Sequence, residues 1–184
     1  MSCLHESPLN ANVRPTVKMG RRGVTGGFTL IELLITISIV AILAALAVPA
    51  FDEAVLNSKL NAVSSNFMAS AQLARSEAIK RNAPVTLCAS SDGTTCVGTW
   101  ENGWVVRAAD GTVISRQSPL PNGYMLSESG GVTSIVFQPT GVGATLASLT
   151  LCRATPTVGS RKRTLDVSLT GRPNVTKQPA TSCP

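Results

Sequence analysis

The sequence predicts an α+β fold: a long N-terminal α-helix, transmembrane in its first part and amphipathic in its second, packed on antiparallel β-sheets. Three observations predict it. Residues 28–51 are almost wholly apolar, residues 52–83 carry an apolar stripe at helical spacing, and from Val85 onward short β-prone runs alternate with Gly, Pro, Asn and Asp. At 184 residues, 43% hydrophobic and 14% charged, the chain has the size of one modest domain and neither a disordered nor a collagen-like composition.

The first element follows from charge and hydropathy together. Residues 1–27 are polar, carry Arg14, Lys18, Arg21 and Arg22, and end in Gly26-Gly27. That places positive charge on the side of the apolar run expected to remain cytoplasmic. Residues 28–51, FTLIELLITISIVAILAALAVPAF, contain one ionisable group, Glu32. As a helix the run spans about 36 Å, enough to cross a bilayer. A secretory signal would carry an apolar run of only about 7–15 residues before a small-x-small site. Ala45-Leu46-Ala47 offers such a site, but the run is too long for it.

Glu32 needs an explanation, because a carboxylate within a membrane helix costs roughly 2.5–3.5 kcal/mol on insertion scales. Either it reaches the interface near the helix end or it has a partner. Pro49 removes a backbone donor near the outer end of the run, so a kink or local melting is expected there. Beyond Asp52, Leu56, Leu60, Val63, Phe67, Ala71, Ala74 and Ala78 recur at steps of three and four and form the second, amphipathic part of the helix. Packing on the protein's own sheet is expected, in preference to a second partner helix. Pro84 ends the helix just after Lys80 and Arg81, whose charges suit a C-terminal dipole.

Residues 84–184 read as a β-rich globular domain. The runs VTLC, WVVRA, TVIS, YML, SIVF, SLTLCR and TLDVSL are its strands. In residues 164–169, Leu165, Val167 and Leu169 alternate with Thr164, Asp166 and Ser168, as in a half-buried antiparallel strand. Asp110-Gly111 signals a hairpin, and Trp100 and Trp104 are expected in the core.

Five cysteines are present; Cys3 lies in the polar leader of residues 1–27 ahead of the apolar run, and Cys88, Cys96, Cys152 and Cys183 lie beyond that run. An even set in a domain beyond a membrane reads as two disulfides, with three pairings open. Joining Cys88 to Cys96 closes a short loop around Ser91-Asp92-Gly93 and leaves Cys152 to tie down Cys183. The chain-entropy model gives those closures about 2.6 and 3.7 kcal/mol. No metal or cofactor is expected: there is no Cys-x-x-Cys, and the single histidine, His5, is in the leader. Without a histidine beyond the leader, and with scattered carboxylates, no catalytic constellation can be assembled.

The string GGFTLIELL resembles the prepilin motif of type IV pilins and type II secretion pseudopilins. The resemblance implies cleavage by a prepilin peptidase between Gly27 and Phe28 and N-methylation of Phe28. It also implies that Glu32 pairs with the Phe28 amine of a neighbouring subunit and sets register in a filament. The leader would then be residues 1–27, long for the family, and Met19 is an alternative start. Further on, LCASSDGTTCVGTWENGWVVR, LTLCRA, TLDVSLTGR and the terminal SCP resemble minor pilins of the FimT and FimU type with a GspH-like domain. Implied are an inner-membrane protein with a periplasmic domain that enters a cell-surface pilus and helps prime its assembly. Other minor and major pilins and the inner-membrane assembly platform are its implied partners. A GspH-type pseudopilin of type II secretion is the alternative.

Charge suggests one more partner. Residues 151–184 contain Arg153, Arg161, Lys162, Arg163, Arg172 and Lys177 against Asp166 alone. Arg161-Lys162-Arg163 is expected in a loop before a strand beginning near Thr164, with Arg172 in the next turn and both facing one end of the sheet. Four such side chains on duplex DNA would give a slope of log affinity against log salt of about −3.6, with no sequence preference. FimT-type pilins that capture DNA in natural transformation carry Gly-Arg-x-Arg. Here the corresponding string is Gly171-Arg172-Pro173-Asn174, which keeps the first arginine and lacks the second.

Overall fold

In the computed structural model, which describes residues 27–183, Thr29 opens the long helix α1, Leu30–Arg81. Its Oγ1 accepts the backbone N–H of Glu32 at 3.2 Å, so one of the orphan donors of the first turn is satisfied by the residue that precedes the helix. The leader residues Arg14, Lys18, Arg21 and Arg22 lie outside the described residues. The chain falls into two compact units, one ending at Ile42 and one beginning at Leu43. In the first, the apolar side chains stand open: Phe28 is 82% exposed, and Leu30, Ile31, Leu33, Ile35 and Ile39 are also exposed.

The helix is continuous through Pro49, and the local melting expected there is not found. Proline deletes one hydrogen bond, and the long helical runs on both sides carry on without it. Its C-terminus comes at Arg81, two residues before the expected end. Asn82 adopts φ 48°, its N–H donates to Ile79 O, and the Ala83 N–H donates to Ala78 O. Those two bonds close the last turn as a Schellman motif, which is the stop signal that Pro84 was expected to supply.

In the second unit the stripe is buried as its spacing requires. Leu56, Leu60, Phe67, Ala71, Ala74 and Ala78 are 0–1% exposed and join one core with residues of two four-stranded sheets. The strands are β1 (Val85–Ala89), β2 (Trp104–Ala108), β3 (Val113–Gln117), β4 (Tyr124–Glu128), β5 (Ser134–Phe137), β6 (Ala147–Arg153), β7 (Arg161–Val167) and β8 (Pro173–Pro179). The first sheet has the order β3-β2-β1-β5 and the second β4-β6-β7-β8, with every pair antiparallel. Leu87, Val106, Ile135, Leu149, Leu151 and Leu165 line the core from both sheets.

Asp110 and Gly111 turn the β2–β3 hairpin, and Asp110 accepts the Thr112 N–H at 2.8 Å. Trp100, in a short 3-10 turn, and Trp104, at the start of β2, both meet Phe67 edge to face. Their indole N–H groups donate to Val132 O at 2.8 Å and to Ser70 Oγ at 3.0 Å, so two large rings are buried without an orphan donor. Gly103, at φ 104°, lies between them, and a Cβ there would stand 2.3 Å from Gln117 O.

Two expectations about the C-terminal half are corrected. Arg161-Lys162-Arg163 is not a loop but the first three residues of β7, which starts three residues earlier than expected and ends at Val167. An eighth strand, β8, was not foreseen because prolines at both its ends weaken the strand signal. It is tolerated because β8 is an edge strand that pairs only with β7.

Candidate functional site

Phe28 and Glu32 lie four residues apart, about one helical turn, with Phe28 just ahead of the helix and Glu32 in its first turn, and both side chains are exposed. Glu32 sits in the first turn, where a carboxylate complements the helix dipole. Among the described residues it takes part in no ion pair. The Gly27–Phe28 junction precedes the helix, in extended or irregular backbone.

Two disulfides hold the segments the strands leave loose. Cys88 of β1 is bonded to Cys96, and Cys152 of β6 to Cys183. Cys88 and Cys152 are fully buried. Inside the first loop, Asp92 accepts from the Thr95 hydroxyl, the Thr95 and Thr94 backbone N–H groups and the Ser90 hydroxyl. These bonds, led by the Thr95 hydroxyl, hold its carboxyl well below the usual carboxylate range. Among the described residues, no group of His, Cys, Asp and Glu side chains is arranged to hold a metal ion.

The six basic residues of the C-terminal half do not form one face. Side chains alternate along β7, so Arg161, Arg163, Leu165 and Val167 share the core-facing side, while Lys162, Thr164 and Asp166 face away. Arg163 is consequently 2% exposed. Its Nη2 donates to Asn57 Oδ1 and Asn61 Oδ1, each at 3.2 Å, its Nη1 donates to Lys162 O, and among the described residues its Nε has no acceptor. Burial first, and then the neighbouring Arg161 charge, lower its pKa from the ordinary arginine value. A phosphate of DNA cannot reach it, so Arg163 does not belong with the expected DNA-binding residues.

Arg161 and Arg172 lie beyond each other's reach as well, because β7 separates them. Arg161 opens the strand, and Arg172 follows the Ser168–Gly171 turn at its far end. A strand of that length puts them about 20 Å apart along its axis, so the expectation of one shared end is also corrected. Arg153 closes β6 and donates to Thr157 O at 3.2 Å, while Lys177 is exposed on β8 in register with Arg163.

Two separate polar grooves result, each with helix residues that the sequence reading did not single out. At one end Glu53, Asn57, Ser160, Arg161, Lys177 and Gln178 line a groove. Glu53 accepts the Ser160 hydroxyl at 2.6 Å and stands 3.8 Å from Arg161 Nε. At the other end Arg75, Ile79 and Arg172 line a second groove, where Arg75 Nε donates to Gly141 O at 3.1 Å. Arg75 also packs its Cδ near Gly171, whose φ of 69° permits the tight turn that presents Arg172. Glu53, Asn57 and Asn61 recur at steps of four, a polar stripe beside the apolar one, and this is the signal that could have identified them.

A long N-terminal helix, apolar and exposed at its start and buried against antiparallel sheets further on, defines a pilin-like α+β protein. Residues 64–171 match the family model of the type II transport protein GspH, and residues 21–48 match the prokaryotic N-terminal methylation motif. The chain belongs to the GspH family. No curated protein matches it.

Among solved structures, the type IV minor pilin FimU of Pseudomonas aeruginosa PAO1 is similar in two crystal forms. One gives a TM-score of 0.55 at 20% identity, covering 69% of this chain and 96% of that one. The other gives 0.51 at 21%, covering 67% and 99%. The minor pseudopilin EpsH from the type 2 secretion system of Vibrio cholerae aligns at a TM-score of 0.48 and 14% identity, over 64% of this chain and 96% of that one.

Proposed function

We propose that the protein is a minor pilin, held in the inner membrane by residues 28–51 with its globular domain in the periplasm, and then built into a type IV pilus whose assembly it helps to prime. The observation that carries this reading is the contrast within one helix: the apolar side chains of residues 28–48 are exposed, whereas the stripe from Leu56 to Ala78 is buried. An apolar surface left uncovered on a folded protein calls for lipid or for other helices. The methylation motif over residues 21–48 supports the same reading. A prepilin peptidase removes residues 1–27 by cutting between Gly27 and Phe28, and Phe28 is N-methylated. Glu32, in the first turn of the helix, pairs with the new amine of a neighbouring pilin and sets register. Residues 52–81 then serve as the amphipathic half of the helix and residues 84–184 as the globular domain, with other pilins and the inner-membrane assembly platform as partners. The role is structural rather than catalytic.

The test is Glu32→Ala in cells. Leader cleavage should persist while incorporation into filaments falls. Normal incorporation would overturn the register role, and a mature protein that begins anywhere other than Phe28 would overturn the processing. A type II secretion pseudopilin is the competing assignment: deletion would then abolish secretion and leave surface piliation intact.

A second reading is favoured by one observation, the placement of Arg75 beside Arg172 in a single groove. Arg75 supplies a second guanidinium where Asn174 replaces the second arginine of the Gly-Arg-x-Arg pattern. Duplex DNA captured there for uptake would be held by two phosphate contacts, giving a salt slope of about −1.8 in place of −3.6. Retardation of duplex DNA at low salt by the full chain in neutral detergent should disappear in Arg75→Gln/Arg172→Gln. No retardation by the parent protein would remove the reading.

A further inference from the structure

We propose that the groove between the Glu53–Asn57 stretch of α1 and the β7–β8 edge binds the phosphate of an anionic phospholipid headgroup while the protein waits in the membrane. The proposal rests on the membrane reading of residues 28–51.

Three cations converge on one side of the sheet at this place. Arg161 and Arg163 are two apart on β7 and so project to the same face, and Lys177 is the cross-strand partner of Arg163. Against them stands one carboxylate, Glu53, whose oxygens are shared between Ser160 at 2.6 Å and Arg161 at 3.8 Å. Arg163 is buried, yet among the described residues only neutral oxygens accept from it, and its Nε has no acceptor there. Its charge is therefore not cancelled locally. Asn57, which takes one of its hydrogen bonds, is itself a wall of the groove, so the positive potential of Arg163 adds to that of Arg161 and Lys177 there.

Position identifies the anion. Phe51 is the last residue of the apolar run and is exposed, and Glu53 and Asn57 follow it in the same unbroken helix. At 1.5 Å per residue they lie about 3 and 9 Å beyond it. The headgroup layer on each side of the hydrocarbon is of order 5–8 Å deep, so the groove opens at the level of the lipid phosphates. A surface-facing Lys or Arg at that depth attracts anionic lipid. The Arg75–Arg172 groove, at the other end of β7, lies well outside that layer.

The test uses the full chain, purified in neutral detergent and offered phosphatidylglycerol and phosphatidylcholine in equal amounts, with retained lipid counted by native mass spectrometry. The protein should retain phosphatidylglycerol in several-fold excess. Arg161→Gln and Lys177→Gln should each lower that preference, by about fivefold per charge removed, and Glu53→Gln should raise it. Arg75→Gln/Arg172→Gln should leave it unchanged. Equal retention of both lipids, or an equal loss in the distal double variant, would overturn the proposal. So would displacement of the bound lipid by inorganic phosphate, because the site would then recognise the free ion. Thermal unfolding of each variant separates loss of the site from loss of the fold. Flotation with phosphatidylcholine vesicles tests the membrane reading separately: a chain that floats without lipid preference refutes the groove alone, and a chain that does not float refutes the anchor.

Discussion

Phe67 meets Trp104 edge to face, with ring centroids 5.6 Å apart and planes inclined by 73°. One residue comes from the middle of the helix and the other from the first residue of β2, so this contact joins the helix stripe to the sheet. Phe67→Ala removes a fully buried ring that also touches Trp100. It should lower the unfolding free energy of the globular domain by about 3–5 kcal/mol. Urea denaturation of wild type and variant, followed by tryptophan fluorescence, would measure it. A loss under about 1 kcal/mol would mean that the helix stripe is not the core the structure assigns.

Arg163 makes a different prediction, because its charge is buried among neutral acceptors. Arg163→Ala leaves Asn57 and Asn61 without their donor and should cost about 1–3 kcal/mol. Arg163→Met should recover part of that loss by filling the space of the aliphatic stem. Once matched for folded fraction, neither variant should alter DNA retardation, since the guanidinium is out of reach of solvent anions. A drop in retardation for correctly folded Arg163→Met would contradict this.

The bridge from Cys152 to Cys183 closes a much longer loop than the bridge from Cys88 to Cys96. Replacing both Cys152 and Cys183 by Ser should therefore cost more than the equivalent change at Cys88 and Cys96, by about 1 kcal/mol in the chain-entropy account. Limited proteolysis should cut the C-terminal segment first in the variant that lacks the longer loop. Reduction of the wild type should add two hydrogens to the mass for each bridge.

Asp92 sets a pH dependence. Its carboxyl is held below the ordinary value of 3.8, chiefly by the Thr95 hydroxyl and then by backbone donors. A lowered folded-state pKa adds stability that is fully present above the unfolded value and is lost as pH falls through the folded one. Asp92→Asn should thus be less stable than wild type above about pH 4, and the two should converge in stronger acid. Thermal midpoints measured across that range would check it, and a gap that widens on acidification would have the wrong sign.

Much of the molecule is written locally. The apolar run, the stripe from Leu56 to Ala78, seven strands and the Asp110-Gly111 turn all follow from spacing and turn chemistry, because each is a property of neighbours along the chain. Strand β8 escaped because Pro173 and Pro179 bracket it, and only its position at a sheet edge makes them tolerable. The basic residues were identifiable as a cluster in sequence but not as two grooves. Even so, the alternation of Leu165 and Val167 extends backward to Arg163 and could have marked it as a core-facing position.

By itself the sequence determined the long helix and seven of the eight strands, which end of the helix is greasy, and how many cations the C-terminal half carries. Which of those cations meet solvent was decided by the tertiary structure alone. The packing of Asn57 and Asn61 over Arg163 joins residues about a hundred positions apart. Burial of that charge is set by those distant partners, and no local pattern of residues contains them.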